Sequence, residues 1–205
     1  MTQWVENPQG GRDRGPRGLV RAWFEVLVRP RRFFRNGIAP ADQAPGLVFV
    51  IAVTLVFLGG RLAFVPETLP WFGTNRVVSA AIVLGVGGFL VAPLALHLTA
   101  ALQTLALLPL VSDRAGISET VQTIAYATAP CVFVAVPVPS VQLVAAMYGF
   151  VLLVLGLSVV HETTLPRALL AGLIPGLFVF GFAFGGLDAF ESVTGFELVD
   201  DPRES

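Results

Sequence analysis

Residues 121–160 read VQTIAYATAPCVFVAVPVPSVQLVAAMYGFVLLVLGLSVV, a run without a single Asp, Glu, Lys or Arg. A hydrocarbon core is roughly 30 Å thick and one helix crosses it with about 20 apolar residues, so this stretch has the length of two crossings. Pro137, Pro139 and Ser140 at its middle supply the turn between them. Residues 77–111 form a second charge-free run. Two further apolar stretches, 46–65 and 167–187, carry only Arg61 and Arg167. The whole chain is 55% hydrophobic and 13% charged, with a mean hydropathy of +0.76. These patterns predict an all-α, polytopic helical membrane protein with about five transmembrane helices and an N-terminal interfacial amphipathic helix.

The spans read as 46–65, 77–97 with an extension to 110, 119–136, 141–160 and 167–187. The second is ambiguous, because a continuous helix over 77–111 would be about 50 Å long. Either it is one helix that leaves the membrane on the inner side, or Pro93 splits it. Two spans would leave halves of about 16 residues, short for a bilayer, so one span with an extension is preferred. Ser118 is placed to cap the third span. Pro93, Pro130 and Pro175 lie inside spans, where neighbours can satisfy the carbonyls they free.

Charge orients the bundle. All 13 basic residues are Arg, and eight of them precede the first span. An Arg-rich flank stays in the cytoplasm, so the expected protein is a multi-pass cell-membrane protein with its N-terminus inside and C-terminus outside. Residues 1–18 read as a disordered Arg-rich cytoplasmic tail and 188–205 as an acidic tail. The first strongly apolar run begins only after Pro45, too late for an ordinary signal peptide. From Leu19 to Val28 the pattern is amphipathic, with Leu19, Trp23, Val26 and Leu27 opposite Arg21, Glu25 and Arg29. Trp23 with Arg31, Arg32, Phe33 and Phe34 is the candidate membrane anchor. Arg61 is placed to snorkel outward, and Trp71 and Phe72 suit an interfacial belt.

Ala168, Gly172 and Gly176, then Gly181 and Gly185, recur every four residues, so they form the candidate helix-packing stripe of the last span. Chemistry-bearing residues are few. His97 has no second ligand at metal spacing, and the lone Cys131 reads as a small hydrophobe. His161-Glu162 reads as a solvated loop pair near Arg167. No phosphate loop, nucleophile triad or HExxH occurs. The absence of intramembrane acids and bases argues against a proton- or cation-coupled transporter and against an intramembrane protease. No enzyme activity, cofactor, metal or nucleic-acid partner is expected. The expected contacts are the lipid bilayer and membrane-protein partners or a second copy of the chain. A transport protein or permease subunit for a neutral or lipid-like solute is the alternative.

VLVRPRRFF ahead of the first span, ETVQTIAYATAP over residues 119–130, the Pro-containing hairpin, the Gly156-Leu157 step and PRALLAG over 166–172 together resemble the Yip family. These are small five-span membrane proteins of the Ypt/Rab-interacting type, and the chain is most similar to their prokaryotic members. The absence of Lys and the acidic tail would suit a salt-loving archaeon. The resemblance implies the five-span fold over roughly Leu19 to Leu187. It does not carry GTPase binding over, because the long acidic, aromatic N-terminal region of the eukaryotic members has no counterpart here.

Overall fold

A computed structural model of the chain describes residues 15–68, 70–73 and 75–196. The expected tails therefore lie outside the described residues over 1–14 and 197–205. All regular structure among the described residues is helical. Eight helices follow one another: α1 (Pro16–Val28), α2 (Pro30–Gly37), α3 (Ala44–Phe64), α4 (Arg76–Leu107), α5 (Ile117–Ala127), α6 (Pro139–Val160), α7 (Leu165–Ala183) and α8 (Gly186–Thr194). Four of them, α3, α4, α6 and α7, are long and apolar enough to cross a membrane.

The third expected span is built differently. Its α-helix stops at Ala127 and continues from Ala129 to Ala135 as a 3-10 helix, because Pro130 has no N–H for the α ladder. Thr128 bridges the change, its hydroxyl donating to Ala125 O at 2.7 Å. Ser118 and every residue from Thr120 to Ala127 are buried, with Glu119 half-buried, so this element is the axis around which the others pack. It runs beside α3 along its length. A Cβ on Gly46 would stand 2.9 Å from Gln122 Cα, and one on Gly60 would strike Ala135. Two glycines of α3 thus set the approach of the backbones, as small residues do where lipid gives no hydrophobic drive. Ser118 does not cap this helix. The helix starts at Ile117, with Gly116 at the cap position, and the Ser118 hydroxyl is buried in the first turn.

Pro93 does not split α4, which runs unbroken for 32 residues. A π-turn over Gly87–Val91 precedes the proline, and Ala92 N–H donates to Gly87 O. That wider turn makes room for a ring that would otherwise strike the carbonyl four residues back. In α7 the π segment Leu177–Ala183 follows Pro175. The helix then ends at Ala183 rather than Leu187, because Gly185 takes a left-handed φ of 69° and turns the chain back as α8. α8 closes on α6, where Gly186 meets Phe180 O and Ala146 with no room for a side chain.

The core centres on Tyr126. Phe33 and Phe49 meet its ring edge-on, with centroids 4.8 and 4.9 Å away. Phe33 and Phe34 are each 1% exposed. The sequence reading placed these two at the lipid surface, whereas the structure turns them into the bundle. The reason is local: in α2 the buried positions Phe33, Phe34 and Gly37 share one side, and Arg31, Arg32 and Arg35 fan out on the other.

Candidate functional site

Between α3, α4 and α7 lies an apolar crevice of about 550 Å³, within the size range of small-molecule and lipid-chain sites. Val50, Leu96 and Ile124 form its floor and are buried. Val91, Leu98, Phe178 and Phe182 stand at its mouth and are exposed, so it opens sideways, toward lipid. Hydrogen bonds within the described residues do not use the hydroxyls of Thr54 and Thr99, the polar groups its wall offers, while that of Thr128 is taken by Ala125 O.

Two contacts between α4 and the α3 segment bound the crevice. At one end Gly87 and Gly88 of the π-turn meet Leu58 and Leu55; added Cβ atoms would lie 2.5 and 2.6 Å from those side chains. At the other, His97 meets Gln43. His97 Nδ1 lies 2.7 Å from Pro93 O, which can only accept, so this nitrogen carries the proton. Nε2, the other ring nitrogen, lies 3.0 Å from the side-chain oxygen of Gln43. His97 is therefore a latch between two helices.

The predicted packing stripe divides. Ala168, Gly172 and Gly176 are buried against α6, with Leu157 3.3 Å from a Cβ added at Gly172 and Phe150 closing on Gly176. Gly181 faces Leu177 and Leu187 of its own segment, and Gly185 is the turn residue. The groove is filled by the chain's own α6.

Trp23, half-buried, donates from Nε1 to Ala129 O at 2.8 Å and tilts against Phe133. Arg31 and Arg32 are exposed. Three further polar residues organise the bundle, among them Gln103, which the sequence places on a mildly polar face of the second span. Gln122 donates to Ala39 O at 2.6 Å and accepts from Ala39 N–H at 2.9 Å, pinning the α2–α3 link. Gln103 donates to Ala171 O at 3.0 Å. Tyr148 donates from its hydroxyl to Leu27 O. Their signal was available: an amide inside a charge-free span needs a partner.

His161 also departs from expectation. Glu162 is exposed, but His161 is 1% exposed at the end of α6. The Thr120 hydroxyl donates to Gly116 O at 3.1 Å, so it accepts from His161 Nε2–H at 3.3 Å. Burial, and secondarily the Arg114 charge, lower the His161 pKa from 6.5 to about 4. It is neutral at pH 7.

A bundle of long apolar helices around a buried, partly 3-10 axis, with its cavity open to lipid and its polar groups spent on backbone carbonyls, is a multi-pass integral membrane protein. A Yip1 domain profile matches residues 24–187, and the chain belongs to the Yip1 domain family. No curated protein and no solved structure matches it.

Proposed function

We propose that this chain is a non-enzymatic organiser of the membrane, one that holds lipid or a partner helix at its side rather than passing a solute through. The observation that carries this reading is the crevice between α3, α4 and α7, apolar in its wall and open at its flank. A transport path for a polar solute would need polar groups in series, whereas here the wall offers isolated threonines. In this reading α5 and its 3-10 extension make a fifth crossing, the N-terminus is cytoplasmic and the C-terminus lies outside. Trp23, Phe33 and Phe34 fasten the N-terminal segment to the bundle, and Arg31 and Arg32 give it a charged face toward the bilayer.

Carriage of a lipid-like solute is the second reading, favoured by the π-turns of α4 and α7 beside the crevice, since such turns can shift register. Purified protein in vesicles separates the two. An organiser gives no saturable, protein-dependent movement of a fluorescent diacyl lipid between leaflets. Saturable movement that is lost when Ala95→Leu narrows the crevice would overturn the first reading in favour of the second.

A further inference from the structure

Arg17, Arg29, Arg31, Arg32 and Arg35 are exposed, and none has a carboxylate at ion-pair distance among the described residues. The one ion pair of this segment joins Arg21 to Glu25 at 3.2 Å. Unneutralised arginines are ordinary on a water-facing helix. These sit elsewhere, because α1 and α2 lie along the bundle. Phe34 packs where Gly156 leaves room, at 2.9 Å from an added Cβ. Gly156 is four residues from the end of α6, about 6 Å along that helix. Leu27 O accepts from Tyr148, twelve residues and about 18 Å from the same end. The links from Phe33 to Tyr126 and Phe49 lie between these levels. The peptide from Arg29 to Arg35 therefore climbs the flank of membrane-crossing helices. On α1 the outward residues Val20, Phe24 and Val28, spaced by four, are 63%, 60% and 56% exposed, as suits a surface wetted by hydrocarbon.

Arginine at that depth must meet an anion or water brought down to it. Arg31 and Arg35 are one helical turn apart, with Arg32 beside them, so the three exposed guanidinium groups leave one side of α2, and each can pair with phosphate oxygens. We infer that Arg31, Arg32 and Arg35 bind phospholipid phosphates and draw the headgroups of the leaflet at the His161 end inward along α2. The site deepens the bilayer-facing role proposed above for Arg31 and Arg32. It does not involve the crevice, so the leaflet-movement assay is blind to it. Phospholipid is the occupant because the site lies beside spans whose outer faces are apolar, where charge on a lipid headgroup is the complementary partner within reach.

Native mass spectrometry of the purified full chain tests this, with phosphatidylglycerol and a monoglucosyl diacylglycerol of the same acyl chains as probes. The wild-type chain is expected to retain phosphatidylglycerol and release the phosphate-free lipid. The combined variant Arg31→Gln, Arg32→Gln and Arg35→Gln is expected to lose about 100-fold in apparent affinity, some five-fold for each arginine. The matching Lys triple, which keeps the charge, retains most of the binding and shows that the segment still folds. Equal retention by the Gln triple, or equal retention of the glucosyl lipid, would overturn the inference.

Discussion

Gln103 of α4 donates its side-chain amide to the carbonyl of Ala171 in α7, 3.0 Å away, and Ala171 is the residue four before Pro175. In a regular helix that carbonyl would accept from the N–H of residue 175, which proline lacks. A side chain from another span thus replaces the missing backbone donor. The substitution costs little because lipid offers no donor of its own, and it ties two spans at a fixed height.

Gln103→Leu keeps the volume and removes the donor, so Ala171 O is left unpaired. The expected loss is about 1–2 kcal/mol, moderated because Gln103 Oε1 is itself buried without a partner. Thermal unfolding in detergent measures it. In a Pro175→Ala background, which restores the backbone N–H, Gln103→Leu is expected to cost at most half as much. Equal costs in both backgrounds would show that the amide does not serve the proline.

Gly176→Leu drives a side chain into Phe150, and Gly172→Leu meets Leu157. Both are expected to destabilise, by about 1–3 kcal/mol each as overpacking does. Because α6 of the same chain fills this groove, the oligomer size in detergent is expected to stay at the wild-type value. A shift toward smaller species would instead put these glycines between copies.

The number and rough limits of the apolar runs were legible because charge is excluded from lipid-facing helices, whatever their neighbours. Which side of a helix faces lipid was not. In water, periodicity has a sign, but in a bilayer both sides of a helix are apolar. Val20, Phe24 and Val28 therefore read much as Ala22 and Val26 do, although the first three are exposed and the last two buried. Gly185 fell in step with the packing stripe by spacing, yet its φ of 69° marks a turn that spacing does not encode. The crevice joins residues from three spans, and no single stretch of sequence describes it. Pro175 and Gln103 were each visible alone, and only their approach in space connects them.

Gln122→Leu would strand the N–H of Ala39, a residue 4% exposed, while its carbonyl keeps the Asp42 N–H at 3.3 Å. The expected cost is about 1–3 kcal/mol, that of a single buried orphan. Protease cutting between α2 and α3 reads the release of this link directly and is expected to accelerate.

His161 gives the fold a dependence on acid. Its folded pKa of about 4 lies below the unfolded 6.5, so between these values the unfolded chain holds the extra proton. Stability is therefore expected to be full above pH 6.5, to fall as pH drops toward 4, and to level off below. The total is on the order of 3 kcal/mol. His161→Asn, which keeps a donor for Thr120, is expected to flatten that slope. An unchanged slope would assign the acid sensitivity to other groups.

The central claim is that the crevice stays open to the bilayer and holds lipid or a partner helix. A photoreactive phenylalanine analogue in place of Leu98, at the mouth, tests it most directly when irradiated in native membranes and analysed by mass. The same label in place of Leu153, which is fully buried, provides the comparison. The account predicts that the Leu98 label forms adducts with acyl chains or another membrane polypeptide, and that the Leu153 label reacts only within the chain. Intrachain products alone at Leu98 would mean that α3, α4 and α7 close together in the membrane, and would contradict it.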